Sequence, residues 1–224
     1  MSKEEKENKI KVLNLYAGIG GNRKLWDNDK IEVTAIENVP EIAKIYQDFF
    51  PNDKVIVTDA HQYLLEHYKE FDFIWSSPPC PTHSICNHFL NAQGVIRYPD
   101  MNLWQEIIFL TTFFKGKFVV ENVRTYYEPL IKPQEVGRHY FWSNFKIEPS
   151  KIKMKAPFNI ANMRASTRTT PEENLRSLEL FHNIDLSKFN VKDKRKLLRN
   201  CVNPDVGQYI FEMAFSKRQE VLKL

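Results

Sequence analysis

An α/β fold, a mostly parallel sheet with helices on both faces, is what this sequence predicts, and three observations predict it. Short β-rich apolar runs alternate with stretches of helical periodicity. The first run ends in Gly18-Ile19-Gly20-Gly21, three glycines in four positions, where sheets of this kind bind ligands. Two later runs lead directly into chemically capable residues. Phe71-Asp72-Phe73-Ile74-Trp75 runs into Ser76-Ser77-Pro78-Pro79-Cys80-Pro81, and Phe118-Val119-Val120 runs into Glu121-Asn122-Val123.

In chain order, strands are expected at residues 11–15, 32–36, near 55–57, 71–75 and 117–120, with one more at Tyr140-Phe141-Trp142. Residues 40–49 read as a helix opened by Pro40, with Ile42, Ile45, Tyr46 and Phe49 at helical spacing. Residues 103–114 read as another. A final amphipathic helix over 205–222 follows the start signal Asn203-Pro204 and carries Val206, Ile210, Met213 and Ala214. Between the last strand and that helix lies a basic, irregular passage of about thirty residues with Lys151, Lys153, Lys155, Arg164 and Arg168.

At 224 residues, 42% of them apolar, the chain suits one globular domain with a real core. No run approaches the ~20 apolar residues of a membrane helix. The charged start Met1-Ser2-Lys3-Glu4-Glu5-Lys6-Glu7 is unlike a signal peptide, so a cytoplasmic protein is expected. Three cysteines do not make a disulfide framework. The net charge of +4 is unevenly spread: residues 150–200 hold twelve Lys or Arg against five Asp or Glu, which leaves the remainder negative. That asymmetry suits a polyanion-binding face, and solvated lysines on an ordinary surface would also produce it.

Each candidate site has a plain alternative. Cys80 is a small core residue or a thiol placed for chemistry at a strand end. Glu37, at the end of the second strand, can accept both hydroxyls of a ribose. Asp59, after the third, is a further ligand for the same nucleoside or simply a helix cap. Glu121 is a turn cap or a proton donor beside the thiol. Arg138 reads equally as a surface charge or as a holder of a polar substrate edge. Cys80, His83, Cys86 and His88 invite a zinc reading, but the spacing is cramped and no second pair closes a conventional site, so no metal is expected.

Taken together, Ala17-Gly18-Ile19-Gly20-Gly21, Pro78-Pro79-Cys80, Glu121-Asn122-Val123 and Arg199-Asn200-Cys201-Val202-Asn203-Pro204 resemble the motif series of the C5-cytosine DNA methyltransferases. The matched framework covers nearly the whole chain. The segments around residues 97–101 and 137–145 are similar to the short enzymes of that family from phages and their bacterial hosts. The resemblance implies a Rossmann-like sheet that uses S-adenosylmethionine, a catalytic and cofactor-binding domain over 1–145, a much reduced target-recognition segment over 146–175, and a C-terminal segment, 176–224, that returns to the catalytic domain. It implies that Cys80 adds to C6 of a flipped-out cytosine, that Glu121 protonates N3 with Asn122 orienting it, and that Arg138 hydrogen-bonds the base. For the cofactor it implies Tyr16, Ala17, Gly18, Ile19 and Gly20 around the methionine and adenosine, Glu37 at the ribose, Asp59 at the adenine amine and Asn200 closing the site, with Asn38, Ala60 and Pro79 also cofactor-binding. Residues 85–100, a polar loop after the nucleophile, would close over the base.

The chain departs from the family pattern in three places. Pro81 stands where a Gln is usual, Arg199 where a Gly is usual, and about thirty residues replace a recognition domain of a hundred or so. Target specificity is therefore expected to be short or loose, to come from residues 151–168, or to belong to a partner subunit. Double-stranded DNA is the implied partner. An RNA cytosine methyltransferase, or a subunit that keeps the fold and needs a partner for turnover, are the alternatives.

Overall fold

The computed structural model describes residues 9–148 and 170–216. The basic stretch 151–168 lies outside the described residues, as do the last residues of the expected final helix.

Seven strands form one sheet: β1 (Ile10–Leu15), β2 (Ile31–Ile36), β3 (Lys54–Ile56), β4 (Phe73–Ser76), β5 (Lys117–Val123), β6 (Gln134–Val136) and β7 (His139–Ser143). Their order is β3-β2-β1-β4-β5-β7-β6. The first five are parallel, and β7 runs antiparallel to both β5 and β6. The central strands are buried on both faces, which is why they read as continuous apolar runs.

The expected mostly parallel sheet is what forms, and its edges differ in ways the pairing explains. β5 continues through Glu121, Asn122 and Val123, because β7 offers partners to all three: Phe141, Tyr140 and His139. Glu121 therefore lies inside a strand rather than after one. β6, which the sequence does not announce, is three residues long and exists through its hairpin with β7, turned at Gly137 (φ +61°) and Arg138.

Helices cover both faces. On one side, α2 (Ala60–His67) and α4 (Asn102–Phe113) pack Leu64, Trp104, Ile107 and Leu110 on Leu13, Ile74, Phe118 and Val120. On the other, α7 (Pro204–Ala214) packs Val206 and Ile210 with Trp26 on Val12, Phe73, Trp75 and Phe141. α1 (Pro40–Phe49) begins at Pro40 as expected, and Ile45 and Tyr46 are on its buried face. α5 (Pro171–His182) and α6 (Lys194–Arg199) join α1 through Ile19, Ile45, Leu178 and Leu198. α5 starts at a full capping box, Thr170 with Glu173, and stops at Asn183 in the left-handed region. The loop after Cys80 contains a short helix, α3 (Asn87–Ala92). Among the described residues no helix is long and apolar enough to cross a membrane.

The strand order reverses between β1 and β4, one joined to β2 and the other to β5. A reversal of that kind opens a crevice at the carboxyl ends of the two strands. The glycine turn leaves β1 there, and Ser77-Pro78-Pro79-Cys80 leaves β4 there.

Candidate active site

On the β1 side of the crevice, the chain leaves the strand through Tyr16 (φ +54°) and Gly18 (φ +55°). A side chain at Gly18 would meet nothing within 4 Å, so space lies open above its backbone. The Gly18 N–H donates to Glu37 Oε2 at 2.9 Å, and the Val39 N–H donates to Glu37 Oε1 at 3.0 Å. Glu37, buried at the end of β2, thus shapes the turn and keeps a further lone pair on each oxygen. Asp59 caps α2 by accepting the Gln62 N–H through Oδ1 at 2.8 Å, with Ala60 buried as the first helical residue. Both readings of Asp59 remain chemically available, because a carboxylate that caps through one oxygen can accept through the other. Asn38 is exposed, and so are the apolar Val39 and Val57 beside the two acids.

The glycine turn is closed from behind by the C-terminal segment. A Cβ on Gly21 would stand 2.0 Å from Cys201 Sγ and 2.4 Å from the Val202 carbonyl oxygen, so only glycine permits that approach. Asn200 itself is exposed at the end of α6, and its neighbours Cys201 and Val202 make the contact. Ile19 is buried against α1 and α5, and Ala17 packs with Ala35 and Tyr46.

The β4 side holds the thiol. Pro78 is buried and Pro79 exposed, and Cys80 is half-buried. Its carbonyl accepts the N–H groups of His83 and Ser84, which turns the chain back. Residues 83–85 then pair with 124–126 through an isolated bridge between Ser84 and Thr125. Asn122 fastens the two motifs together: its Nδ2 donates to the Pro78 carbonyl at 2.9 Å while its Oδ1 accepts the Val123 N–H. The amide is buried, so each bond is worth more than it would be in water.

Glu121 follows the same strand end from the opposite face of β5. Burial, and after it the Glu121 charge, pushes the Cys80 thiol above its ordinary range, so the resting sulfur is protonated. Glu121 Oε1 stands 3.1 Å from His139 Nδ1. His139 precedes by two the residue paired with Glu121, which gives it the same face; strand register alone carries that information. Arg138 sits exposed at the tip of the β6–β7 turn. Behind His139, His182 is buried and held neutral, pushed down to about 4 by burial first and then by His139 and Lys24.

Glu106 is a second residue that the motifs do not reveal. It is fully buried on α4 and accepts from Tyr16, His61 and Ser76. Its signal was an acid at helical spacing with Leu103, Ile107 and Leu110. The segment after the nucleophile is also less polar in effect than expected, since Phe89, Ile96 and Tyr98 are 69%, 64% and 81% exposed.

The donor set fits an adenosyl cofactor. Acceptors for ribose hydroxyls and an adenine amine stand at successive strand ends, beside open backbone at Gly18. Tyr16 is the exception in detail, since its hydroxyl donates to Glu106 at 2.6 Å and its ring packs against the core under α2 and α4.

Among solved structures, the chain is similar to a methyltransferase of Entamoeba histolytica, with 13% identity, 93% of this chain and 98% of that chain covered, and a TM-score of 0.54. A putative methyltransferase of Escherichia coli matches at 14% identity over 60% of this chain and 74% of its own, with a TM-score of 0.39. The first of these likenesses is one of fold. No curated protein matches the sequence. The family model described as C-5 cytosine-specific DNA methylase matches residues 10–130. With that match over more than half its length, this chain belongs to the C-5 cytosine-specific DNA methylases, methyltransferases that use S-adenosylmethionine.

Proposed function

We propose that this protein methylates C5 of a flipped-out cytosine in double-stranded DNA through a transient bond between Cys80 and C6. The observation that carries the proposal is the fastening of the two motifs: the Asn122 amide on the Pro78 carbonyl keeps the nucleophile loop against the strand that bears Glu121.

The chemistry follows from the two groups. Cytosine is a poor nucleophile at C5, and addition at C6 divides one hard step into two easier ones. Cys80 rests as a thiol under the influence of burial and of Glu121. As Cys80 Sγ bonds to C6, its proton passes by way of Glu121 to N3, so the base gains one nucleophile and one proton and carries no new net charge. Once Glu121 shares its charge with N3, one cause that held the thiol proton is gone. When bound, S-adenosylmethionine supplies an electrophilic methyl group and is left as S-adenosylhomocysteine. Loss of the C5 proton and of the N3 proton then restores the C5–C6 double bond and expels Cys80 as thiolate. Arg138, on an exposed turn, is assigned to an edge of the base or its phosphate.

Support for a nucleic acid comes from charge and from exposed apolar side chains. Residues 150–200 are strongly basic, and Phe89, Ile96 and Tyr98 stand uncovered in the segment after Cys80, where a closing loop would meet unstacked bases. In this proposal residues 1–145 and 176–224 make the catalytic body, and residues 146–175 the reduced recognition segment, working alone or with a partner subunit.

Duplex DNA with 5-fluorocytosine at the target should form a gel-stable adduct with the wild-type chain, because fluorine cannot leave as the proton does. Cys80→Ala should give no adduct and lower tritiated-methyl transfer by roughly 10⁴-fold or more, with S-adenosylhomocysteine binding unchanged. A Cys80→Ala protein that still turns over would remove the thiol from the mechanism. Transfer to tRNA and none to duplex DNA would move the substrate to RNA.

A further inference from the structure

Glu106 is a carboxylate with 0% exposure in the middle of an apolar helix face, and Cys80 chemistry has no use for it. Three donors from separate segments of the chain converge on it. Oε1 accepts the Tyr16 hydroxyl at 2.6 Å and stands 3.0 Å from His61 Nδ1, while Oε2 accepts the Ser76 hydroxyl at 2.6 Å. Tyr16 belongs to the turn after β1. His61 follows Asp59 and Ala60 at the start of α2. Ser76 ends β4, four residues ahead of Cys80.

A carboxyl group so far from water is costly unless its oxygens are hydrogen-bonded. The bond to Glu106 is the main cause that pushes the His61 pKa up. Tyr16 has the greater need of the arrangement. It holds a left-handed backbone conformation that a residue with a Cβ avoids, directly before Ala17 and Gly18. The buried bond from its hydroxyl to Glu106 at 2.6 Å is an anchor that can select that conformation.

We propose that Glu106 is a positioning residue that holds the cofactor turn in its binding shape, by tying Tyr16 to His61 behind the Asp59 loop and to Ser76 ahead of the nucleophile loop. The two halves of the crevice, which come from separate parts of the sheet, thereby share one buried hub. The proposal rests on the family's cofactor and not on the Cys80 mechanism, and its test requires no DNA.

The experiment is a double-mutant cycle on S-adenosylhomocysteine affinity, measured by calorimetry on the full chain. Tyr16→Phe removes one hydroxyl and should raise Kd about tenfold. Glu106→Ala should raise it by at least about as much, and Tyr16→Phe added to Glu106→Ala should then change little. Glu106→Gln can still accept from Tyr16 and donate to Ser76, so it should recover most of the affinity, which a loss of general packing would not explain. Hydrogen exchange of the ligand-free chain should quicken at amides 17–20 in Tyr16→Phe. That variant keeps the proposal testable if Glu106→Ala fails to fold. An unchanged Kd and unchanged exchange in Tyr16→Phe, or two effects that multiply independently, would overturn it.

Discussion

Asp53 and Glu121 are equally withdrawn from water, at 7% exposure each, and they are partnered in opposite ways. Asp53 accepts from Arg23 Nε at 2.9 Å and from Arg23 Nη2 at 3.0 Å, and the Tyr46 hydroxyl adds a third bond at 2.9 Å. Arg23 in turn donates to the Trp26 carbonyl and to Asn28. This bidentate pair closes the region between the glycine turn and α1, and both side chains are almost fully buried. The carboxyl of Glu121 meets a single side-chain partner among the described residues, His139, and acts at a distance on Cys80. A completely satisfied charge is a structural commitment. One held by a single neighbour keeps capacity for a substrate edge, at some cost to the resting protein.

The contrast can be broken most forcefully at Arg23. Arg23→Ala would strand a buried carboxylate, and a loss of about 3–5 kcal/mol is expected from urea midpoints. A midpoint near wild type would mean that water or another cation replaces the guanidinium. Glu121→Gln should do the reverse: methyl transfer falls by roughly 10²–10³-fold, while the urea midpoint moves by less than about 1 kcal/mol equivalent. A large drop in stability with transfer intact would place Glu121 alongside Asp53 as a structural acid.

The smallest effect sharpens the comparison at the sulfur. Cys80 alkylation by iodoacetamide, followed by peptide mass, should be slow at neutral pH and rise only at alkaline pH, because burial and the Glu121 charge both oppose the thiolate. Removing that charge by Glu121→Gln lowers the thiol pKa, so alkylation at pH 8 should rise by roughly two- to fivefold. An unchanged profile would leave burial as the sole cause.

Legibility in the sequence followed the range of each interaction. The helix at Pro40–Phe49 was readable because Pro40 and the spacing of Ile42, Ile45, Tyr46 and Phe49 are local signals, and it forms over those residues. The first four strands and β7 are readable to within a residue or two, the central ones because burial on both faces leaves unbroken apolar runs. β5 was underestimated because Glu121 and Asn122 look like a strand end until β7 pairs with them. The α5 and α6 helices carry weak local signals: α5 buries Leu178 and His182 but leaves Leu180 exposed, and α6 is basic and short. The expected final helix over 205–222 is observed over Pro204–Ala214, with Asn203 as its cap.

By itself the sequence determined an alternating α/β chain with a flexible glycine turn, a thiol behind two prolines, and an acid at the end of a buried run. Backbone stiffness, glycine permissiveness and apolar periodicity are properties of neighbouring residues, and they are written in order. Only the tertiary structure decided that Asn122 binds the Pro78 carbonyl, that His139 faces Glu121, that Cys201 presses on Gly21, and that Glu106 gathers Tyr16, His61 and Ser76. Each of these joins groups from 30 to 180 positions apart in sequence, except Glu121 and His139, which are 18 apart. Which of them meet depends on strand order, register and helix rotation, and those are settled by burying the whole core at once.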